Sequence, residues 1–381
     1  MKKKITVGLI TDTFLPQIGG AEVHVKYLAR FLNKSYNIKI YTSTPGESQY
    51  DNIQVVRSKS TGNKLFKFFS DFKDLFFFIK SVDLVHAHYT YYLSFISGLL
   101  SKALRRPFVV TLHGLGTLDS SVDKNFIRKI FRFCSFKLSD AVIATSQEMA
   151  DVAKRFVNIK KIHIVTNGVD TNFFTPEGKK VEGDKKIILS VRRLTPKNGV
   201  QYLVESAPSI IQRVEDAEIW ITCKDKLEKY LRERVKQLNI QKYVKFIGEI
   251  DNEKLPNIYN KADVVVFPSS AESTSIACLE AMSCGNAIVA SALSVYKEMI
   301  GENERGILVE LFSRDYSDYN APMCISDERI RKLSDAIVNL CNDSQLRKNC
   351  GEKARLYAVQ NYDWVVITKQ IKDIYGELID H

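Results

Sequence analysis

The chain has no C-x-x-C pair, no D-x-D pair and no apolar run long enough to cross a bilayer. Each absence removes a class of protein. Its seven cysteines (Cys134, Cys223, Cys278, Cys284, Cys324, Cys341 and Cys350) are scattered. Scattered thiols fit partly buried free cysteines in a reducing cytosol, not a disulfide scaffold or a zinc site. Without a D-x-D pair no divalent metal is expected. The basic start, MKKK, leads into an apolar run, Ile5–Ile10, that is too short for a secretory signal and breaks at Thr11-Asp12. Nothing approaches the roughly 18 apolar residues of a membrane span. Helix-turn-helix, RNP and zinc-finger patterns are missing too, so nucleic acid is the weakest partner for this chain.

What is present is globular and basic. A length of 381 residues suits two domains of ordinary size, and 45% hydrophobic with 26% charged residues is not a disordered composition. The formal charge of +11, from 55 basic and 44 acidic residues, could meet anionic lipid or phosphorylated substrates. Short β-rich runs alternate with helical patterns along the N-terminal half. Strands are expected at Ile5–Ile10, Ile38–Thr42, Ile53–Arg57, Leu84–His86, Phe108–Leu112, Ala141–Thr145 and Ile162–Val165. Helices between most of them make βαβ units, hence a largely parallel, doubly wound α/β sheet. The connection between Ile38–Thr42 and Ile53–Arg57 is too short for a crossover helix, which suggests an antiparallel or edge pair.

The rest is organised around Asp263–Ser291, DVVVFPSSAESTSIACLEAMSCGNAIVAS. Val264–Phe267 reads as a strand buried on both faces. Ser269–Ser275 is a polar loop. Ile276–Cys284 reads as a helix with Ser273 or Ser275 as its N-cap and Gly285 as its stop. Ala287–Ala290 returns to the sheet. In open α/β sheets, ligands gather where strands hand over to helix N-termini. Free amides there suit a phosphate, whereas the carboxylates of Glu272 and Glu280 accept hydrogen bonds from hydroxyls. A ligand with hydroxyls at both ends of a diphosphate, a nucleotide sugar, would fit. Equally, Glu280 could be an acid favoured by the helix dipole and Glu272 a solvated loop charge.

The run E-S-T-S-I-A-C-L-E resembles the E-x7-E signature of the retaining, GT-B fold glycosyltransferases of group 1, or family 4. The resemblance implies that Glu272 contacts donor-sugar hydroxyls, that Glu280 contacts the ribose, and that Ser275 and Ile276 meet the diphosphate. Two departures stand out: Ser273-Thr274-Ser275 replaces the family's Pro-Phe-Gly, and Asn286 replaces a Pro. A serine at the phosphate turn loses glycine's freedom for close approach. In R-R-L-T-P-K-N-G, Arg193 matches the family's diphosphate-holding Arg, while its Lys five residues later is Asn198. Either Lys197 takes that role, or the second cation is missing. An arginine is chemically apt, because a guanidinium grips phosphate oxygens bidentately.

Other motifs carry the resemblance over nearly the whole chain. Gly19-Gly20 precedes a helix; it could be a tight turn only, and the family places this loop beside the donor diphosphate and the acceptor. His113, in Thr111-Leu112-His113-Gly114 after its strand, matches a family histidine near the donor's anomeric carbon. His86 and His88 end another strand, where a metal pair is not expected. Asn167-Gly168-Val169-Asp170 with Phe174-Thr175-Pro176 matches the family's hinge, and Glu177–Lys186 is polar enough for a linker. The segment Glu310–Ser326 is longer than the family's link and matches nothing in it.

Two stretches combine phenylalanine with basic residues: Lys64–Lys80 (KLFKFFSDFKDLFFFIK) and Lys124–Lys137 (KNFIRKIFRFCSFK). Each could simply cover the sheet. Their phenylalanines exceed one core face, however, and a basic amphipathic helix can lie in a lipid interface.

The expectation is therefore a GT-B enzyme of two Rossmann-like domains facing across a cleft. Residues 1–168 form the acceptor-side domain, 169–186 the hinge and 187–363 the nucleotide-sugar domain, with 364–381 crossing back. It would move a sugar from a nucleotide-diphosphate sugar to a lipid-linked or saccharide acceptor. His113 and Glu272 would be catalytic; Gly19, Gly20, Arg193, Lys197, Ser275, Ile276 and Glu280 would bind donor, with no cofactor and no metal. The expected location is cytoplasmic, with peripheral contact at the inner face of the cell membrane. A nucleotide-sugar epimerase on the same fold and a non-catalytic sugar- or lipid-binding protein are the alternatives.

Overall fold

The computed structural model describes residues 4–17, 19–58, 64–89, 91–114, 126–177, 185–312 and 326–379. It divides into two compact units: Met1–Gly168 with Trp364–His381, and Val169–Asp363.

The first unit holds β1 (Thr6–Thr11), α1 (Gly20–Leu32), β2 (Asn37–Thr42), β3 (Gln49–Tyr50), β4 (Ile53–Arg57) and α2 (Lys64–Lys80). There follow β5 (Leu84–His88), α3 (Tyr92–Ala103), β6 (Phe108–Leu112), α4 (Phe126–Leu138), β7 (Ala141–Ala144), α5 (Gln147–Ala153) and β8 (Ile162–Ile164). The sheet order is β3-β4-β2-β1-β5-β6-β7-β8. Its central strands β1, β5, β6 and β7 are buried along their whole length because both faces are covered. One face packs Val7, Leu9, Val25 and Leu28 together, the other Val85, Leu75, Ile79 and Phe136.

Of the antiparallel or edge arrangement expected for the short β2–β4 connection, the edge part holds and the antiparallel part does not. β2 and β4 are parallel, and the antiparallel partner of β4 is the two-residue β3. The chain runs back along the sheet edge as β3 and reverses at Asp51-Asn52, both at positive φ (47° and 61°). Asp and Asn tolerate that region better than other side chains, so no crossover helix is needed.

The second unit holds β9 (Lys186–Ser190), α6 (Val200–Arg213), β10 (Ala217–Thr222), α7 (Glu228–Gln237), β11 (Val244–Gly248), α8 (Leu255–Lys261) and β12 (Val264–Phe267). It continues with α9 (Ile276–Ser283), β13 (Ala287–Ser291), α10 (Ser294–Ile300), β14 (Gly306–Val309), α11 (Asp327–Asn342) and α12 (Ser344–Tyr362). Its six strands are all parallel, in the order β11-β10-β9-β12-β13-β14.

The hinge segment does not behave as a free linker where it is described. Val169 bridges Asp363, and Val169 and Phe174 are buried in the second unit's core with Tyr259 and Met282. Arg355 ties it down by donating to the carbonyls of Thr171 and Phe174, at 2.9 and 2.8 Å. Of the stretch read as linker, residues 178–184 lie outside the described residues, as do residues 313–325 of the long segment before α11. A final helix, α13 (Trp364–Ile379), belongs to the first unit, where Trp364, Ile367, Ile371, Ile374 and Tyr375 enter the core.

Candidate active site

In the second unit, polar residues collect at the carboxyl ends of β9 and β12. Gly199 lets the two loops meet. It takes φ +70°, and a Cβ there would stand 1.7 Å from the Pro268 carbonyl oxygen. Ser270 N–H then donates to the Lys197 carbonyl at 2.8 Å, stitching loop to loop.

Arg192 lies two residues beyond β9, and its side chain is only 9% exposed. It forms an ion pair with Glu272 and donates to Ser269 Oγ at 2.6 Å, Asn198 Oδ1 at 3.2 Å and Ser275 Oγ at 3.3 Å. Ser275 is the N-cap of α9, accepting from Cys278 N–H at 3.3 Å. Its φ of −104° is open to any residue, so the serine needs none of glycine's freedom there. Ile276 begins the helix.

Glu280, one turn further on, is buried and accepts from the Tyr259 hydroxyl at 2.9 Å. Burial pushes its carboxyl up to about 7, the Tyr259 hydrogen bond opposing. Lys197 is half-buried; burial, then the Arg192 and Arg193 charges, pull its pKa down against the pull of Glu272. Asn286 donates to the carbonyls of Tyr259 and Ala262, at 2.8 and 3.1 Å. It fastens the end of α8 to the turn after α9, work a proline could not do.

In the first unit, four histidines cluster at the carboxyl ends of β5 and β6. His113 Nε2 lies 3.0 Å from His88 Nδ1. His24, from α1, places its ring centroid 4.8 Å from that of His113 and 5.5 Å from that of His88. Its Nδ1 donates to Asn167 Oδ1 at 2.7 Å, which leaves Nε2 as the lone-pair nitrogen. Burial pulls His24 down to about 4 and His86 to about 3, and holds His88 and His113 well below the usual value. All four are neutral at physiological pH, able to exchange hydrogen bonds with hydroxyls.

Gly19 caps α1 in extended backbone (φ −154°) with no side-chain cap, and a Cβ on Gly20 would meet nothing within 4 Å. Space is thus open at Gly20, whereas a Cβ on Gly19 would stand 2.5 Å from Glu22 Oε2. Glu22 also stands in that first turn, bonded to the Thr13 hydroxyl.

Sequence models of two families cover the chain in succession, "Glycosyltransferase Family 4" over residues 18–173 and "Glycosyl transferases group 1" over residues 173–357. The chain belongs to these glycosyltransferases. The alpha-maltose-1-phosphate synthase of Mycolicibacterium smegmatis is 25% identical over 98% of this chain and 99% of its own. The D-inositol 3-phosphate glycosyltransferase of Corynebacterium urealyticum is 28% identical over 78% of this chain and 72% of its own. Among solved structures, Anabaena HepE in complex with UDP and glucose superposes with TM-score 0.79, at 18% identity, over 98% of this chain and 99% of its own. The fold of this glycosyltransferase is accordingly GT-B.

Within the transferase, Glu272, Ser275, Ile276 and Glu280 share one end of the second sheet, with Lys197 in the adjoining loop. Arg193 is exposed and near enough to Lys197 to disfavour its charge, while the guanidinium that meets Glu272 is that of its neighbour Arg192. Sequence reasoning passed over Arg192 and also His24. The latter had a signal: V-H-V puts a histidine on the buried side of α1, beside Ala21, Val25 and Leu28.

His24, His88 and His113 offer ring nitrogens within 4.8 Å of one another. Tetrahedral zinc, with bonds of about 2.1 Å, needs nitrogens about 3.4 Å apart. The trio would have to contract, and His88 with His113 would have to give up their hydrogen bond.

Proposed function

We propose that this glycosyltransferase moves a sugar, with retained anomeric configuration, from a nucleotide-diphosphate sugar to a saccharide or lipid-linked acceptor. The observation that carries the donor half is the grouping of a buried guanidinium, a helix N-terminus and two carboxylates at one end of the second sheet. Cation and amides suit the diphosphate and its departure as the leaving group; Glu272 and Glu280 suit sugar and ribose hydroxyls. HepE binds UDP and glucose in its crystal, which supports a nucleotide-sugar donor here. His113, neutral and next to His88, is the group proposed beside the anomeric carbon, and Gly19-Gly20 the loop that admits phosphate or acceptor. Diphosphate charge would be met by the chain itself without a metal ion.

Ser275 and Asn198, where the chain departs from the family pattern, have local explanations. Ser275 sits in backbone any residue adopts, and Asn198 accepts from Arg192.

The acceptor half rests on the first unit's surface. Leu75, Phe78 and Ile79 of α2 face the core, whereas Phe69 is 63% exposed and Phe77 60%. On α4, Phe126 is 73% exposed and Ile127 59%. Ring contacts run from Phe68 to Tyr92, on α3, and on to Phe131 of α4, so the two faces adjoin. Exposed Lys73, Arg128 and Lys137 accompany them. An apolar face with cations suits an anionic membrane that presents a lipid-linked acceptor. The side chains of residues 64–67, Phe66 among them, lie outside the described residues, as do Lys124 and Asn125. Among the described residues no helix is long and apolar enough to cross a membrane.

Thermal-shift measurements against UDP-, GDP-, ADP- and TDP-sugars, followed by assay of nucleoside diphosphate release with candidate acceptors, test the donor half. Stabilisation by one nucleotide sugar is expected. No response to any of them would overturn the reading.

A further inference from the structure

We propose that Arg192 is the cation that grips the donor diphosphate in this chain, and that Glu272 is the counter-ion it holds until the diphosphate arrives. This role presupposes the nucleotide-sugar donor proposed above. It places the charge on a residue that the family resemblance does not point to.

Arg192 is more than nine-tenths buried, yet only one of its partners, Glu272, is charged; Ser269, Ser275 and Asn198 are neutral acceptors. Its Nε is buried without a hydrogen-bond partner. A guanidinium carries five N–H donors and stays charged at any ordinary pH. This one touches Ser275, the N-cap of α9. A helix N-terminus is already positive, so a cation is disfavoured there unless an anion joins it. Guanidinium and free helix amides thus converge on one place with a single carboxylate between them. Such an arrangement favours a further anion.

Asn198 is matched to this cation. Its Nδ2 donates to the Arg193 carbonyl at 2.7 Å, which leaves Oδ1 turned to the Arg192 guanidinium at 3.2 Å. A lysine at 198 could not accept from Arg192 and would set two positive groups side by side. Arginine at 192 and asparagine at 198 therefore form a set in which the charge enters from the strand end instead of the turn. Of the neighbouring cations, Arg193 is exposed, whereas the contacts with Glu272 and Ser275 are those of Arg192. The charge of Lys197 is disfavoured by burial first and then by Arg192 and Arg193, against the pull of Glu272.

The experiment is calorimetric titration of the full chain with UDP, GDP and ADP, and with the matching nucleosides. Arg192→Ala should lose about 10- to 100-fold in affinity for the preferred diphosphate, the range for a charge-assisted hydrogen bond. Its affinity for the nucleoside should not change. Glu272→Gln should bind the diphosphate several-fold more tightly than the parent, because the resident counter-ion is gone while an acceptor for Arg192 remains. A group that only holds sugar hydroxyls would leave that affinity unchanged. Arg192→Ala with Asn198→Lys should recover part of the loss. Glu272→Gln also keeps the test decisive if Arg192→Ala fails to fold. Parental diphosphate affinity in a folded Arg192→Ala protein, or no tightening in Glu272→Gln, would overturn the role of Arg192. Failure of every diphosphate to bind the parent would instead overturn the donor reading itself, and this role with it.

Discussion

The hydroxyl of Tyr375, in the last helix, lies 2.6 Å from Nδ1 of His86, in the middle of the first unit's sheet and 289 residues earlier in sequence. The other ring nitrogen of His86 is 2.6 Å from the Thr111 hydroxyl. His86 is thus fully partnered and structural, unlike His24 and His88, each of which has a buried Nε2 without a partner. Removing the tyrosine hydroxyl would orphan one buried nitrogen. Tyr375→Phe should cost roughly 1–3 kcal/mol, read as a lower urea midpoint for the first unit. A midpoint equal to the parent's would mean that the contact contributes nothing.

Acid should attack the same cluster. With His24 at about 4 and His86 at about 3 in the folded chain, against 6.5 when unfolded, the unfolded chain binds more protons across that window. Stability should therefore fall as pH drops below about 6.5. Replacing His24 by Asn should flatten the slope between pH 6.5 and 4. An unchanged slope in that variant would remove His24 as a contributor.

Glu280 gives the opposite sign. Its folded carboxyl titrates at about 7 against 4.5 unfolded, so the folded protein holds the extra proton and loses stability as pH rises from 4.5 to 7. The full difference amounts to roughly 3 kcal/mol. Glu280→Gln should be more stable than the parent at pH 8, equally stable near pH 4.5, and at least tenfold lower in kcat/KM. Parallel stability curves for the two proteins would show that the carboxyl is not held up as described.

Transfer should persist in EDTA, because Arg192 and the α9 N-terminus are placed to meet diphosphate charge. Complete loss in chelator, restored by Mn²⁺, Mg²⁺ or Zn²⁺, would point instead to a metal, and the trio His24, His88 and His113 would be the first place to look.

Anionic vesicles should sediment the protein at low salt and release it at high salt, since attraction to headgroups acts over a Debye length of about 8 Å at physiological strength. Phe69→Ser with Phe126→Ser, both exposed positions, should weaken the association without unfolding the first unit. If neither neutral nor anionic vesicles retain the parent, the exposed apolar faces serve something other than a membrane and a soluble acceptor is favoured.

Much of this protein was legible in its sequence, for a local reason. Parallel strands covered on both faces must be continuous apolar runs, and helices must start and stop at caps. Val264–Phe267, Ser275, Ile276 and Gly285 therefore announced a βαβ unit without reference to the rest of the chain, and Glu272 and Glu280 came with it. The tertiary structure decided what depends on partners far away. Arg192 and Arg193 are adjacent and chemically identical, and the one that turns inward shows itself only in its contact with Glu272, 80 residues later in the chain. The histidine cluster draws on α1, β5 and the loop after β6, whose side chains share no sequence period. The parallel pairing of β2 with β4 needed the edge strand β3 and its Asp51-Asn52 reversal, a device two residues long. Periodicity encodes which face of an element is buried; which side chains then meet is settled by how loops bring separate elements together.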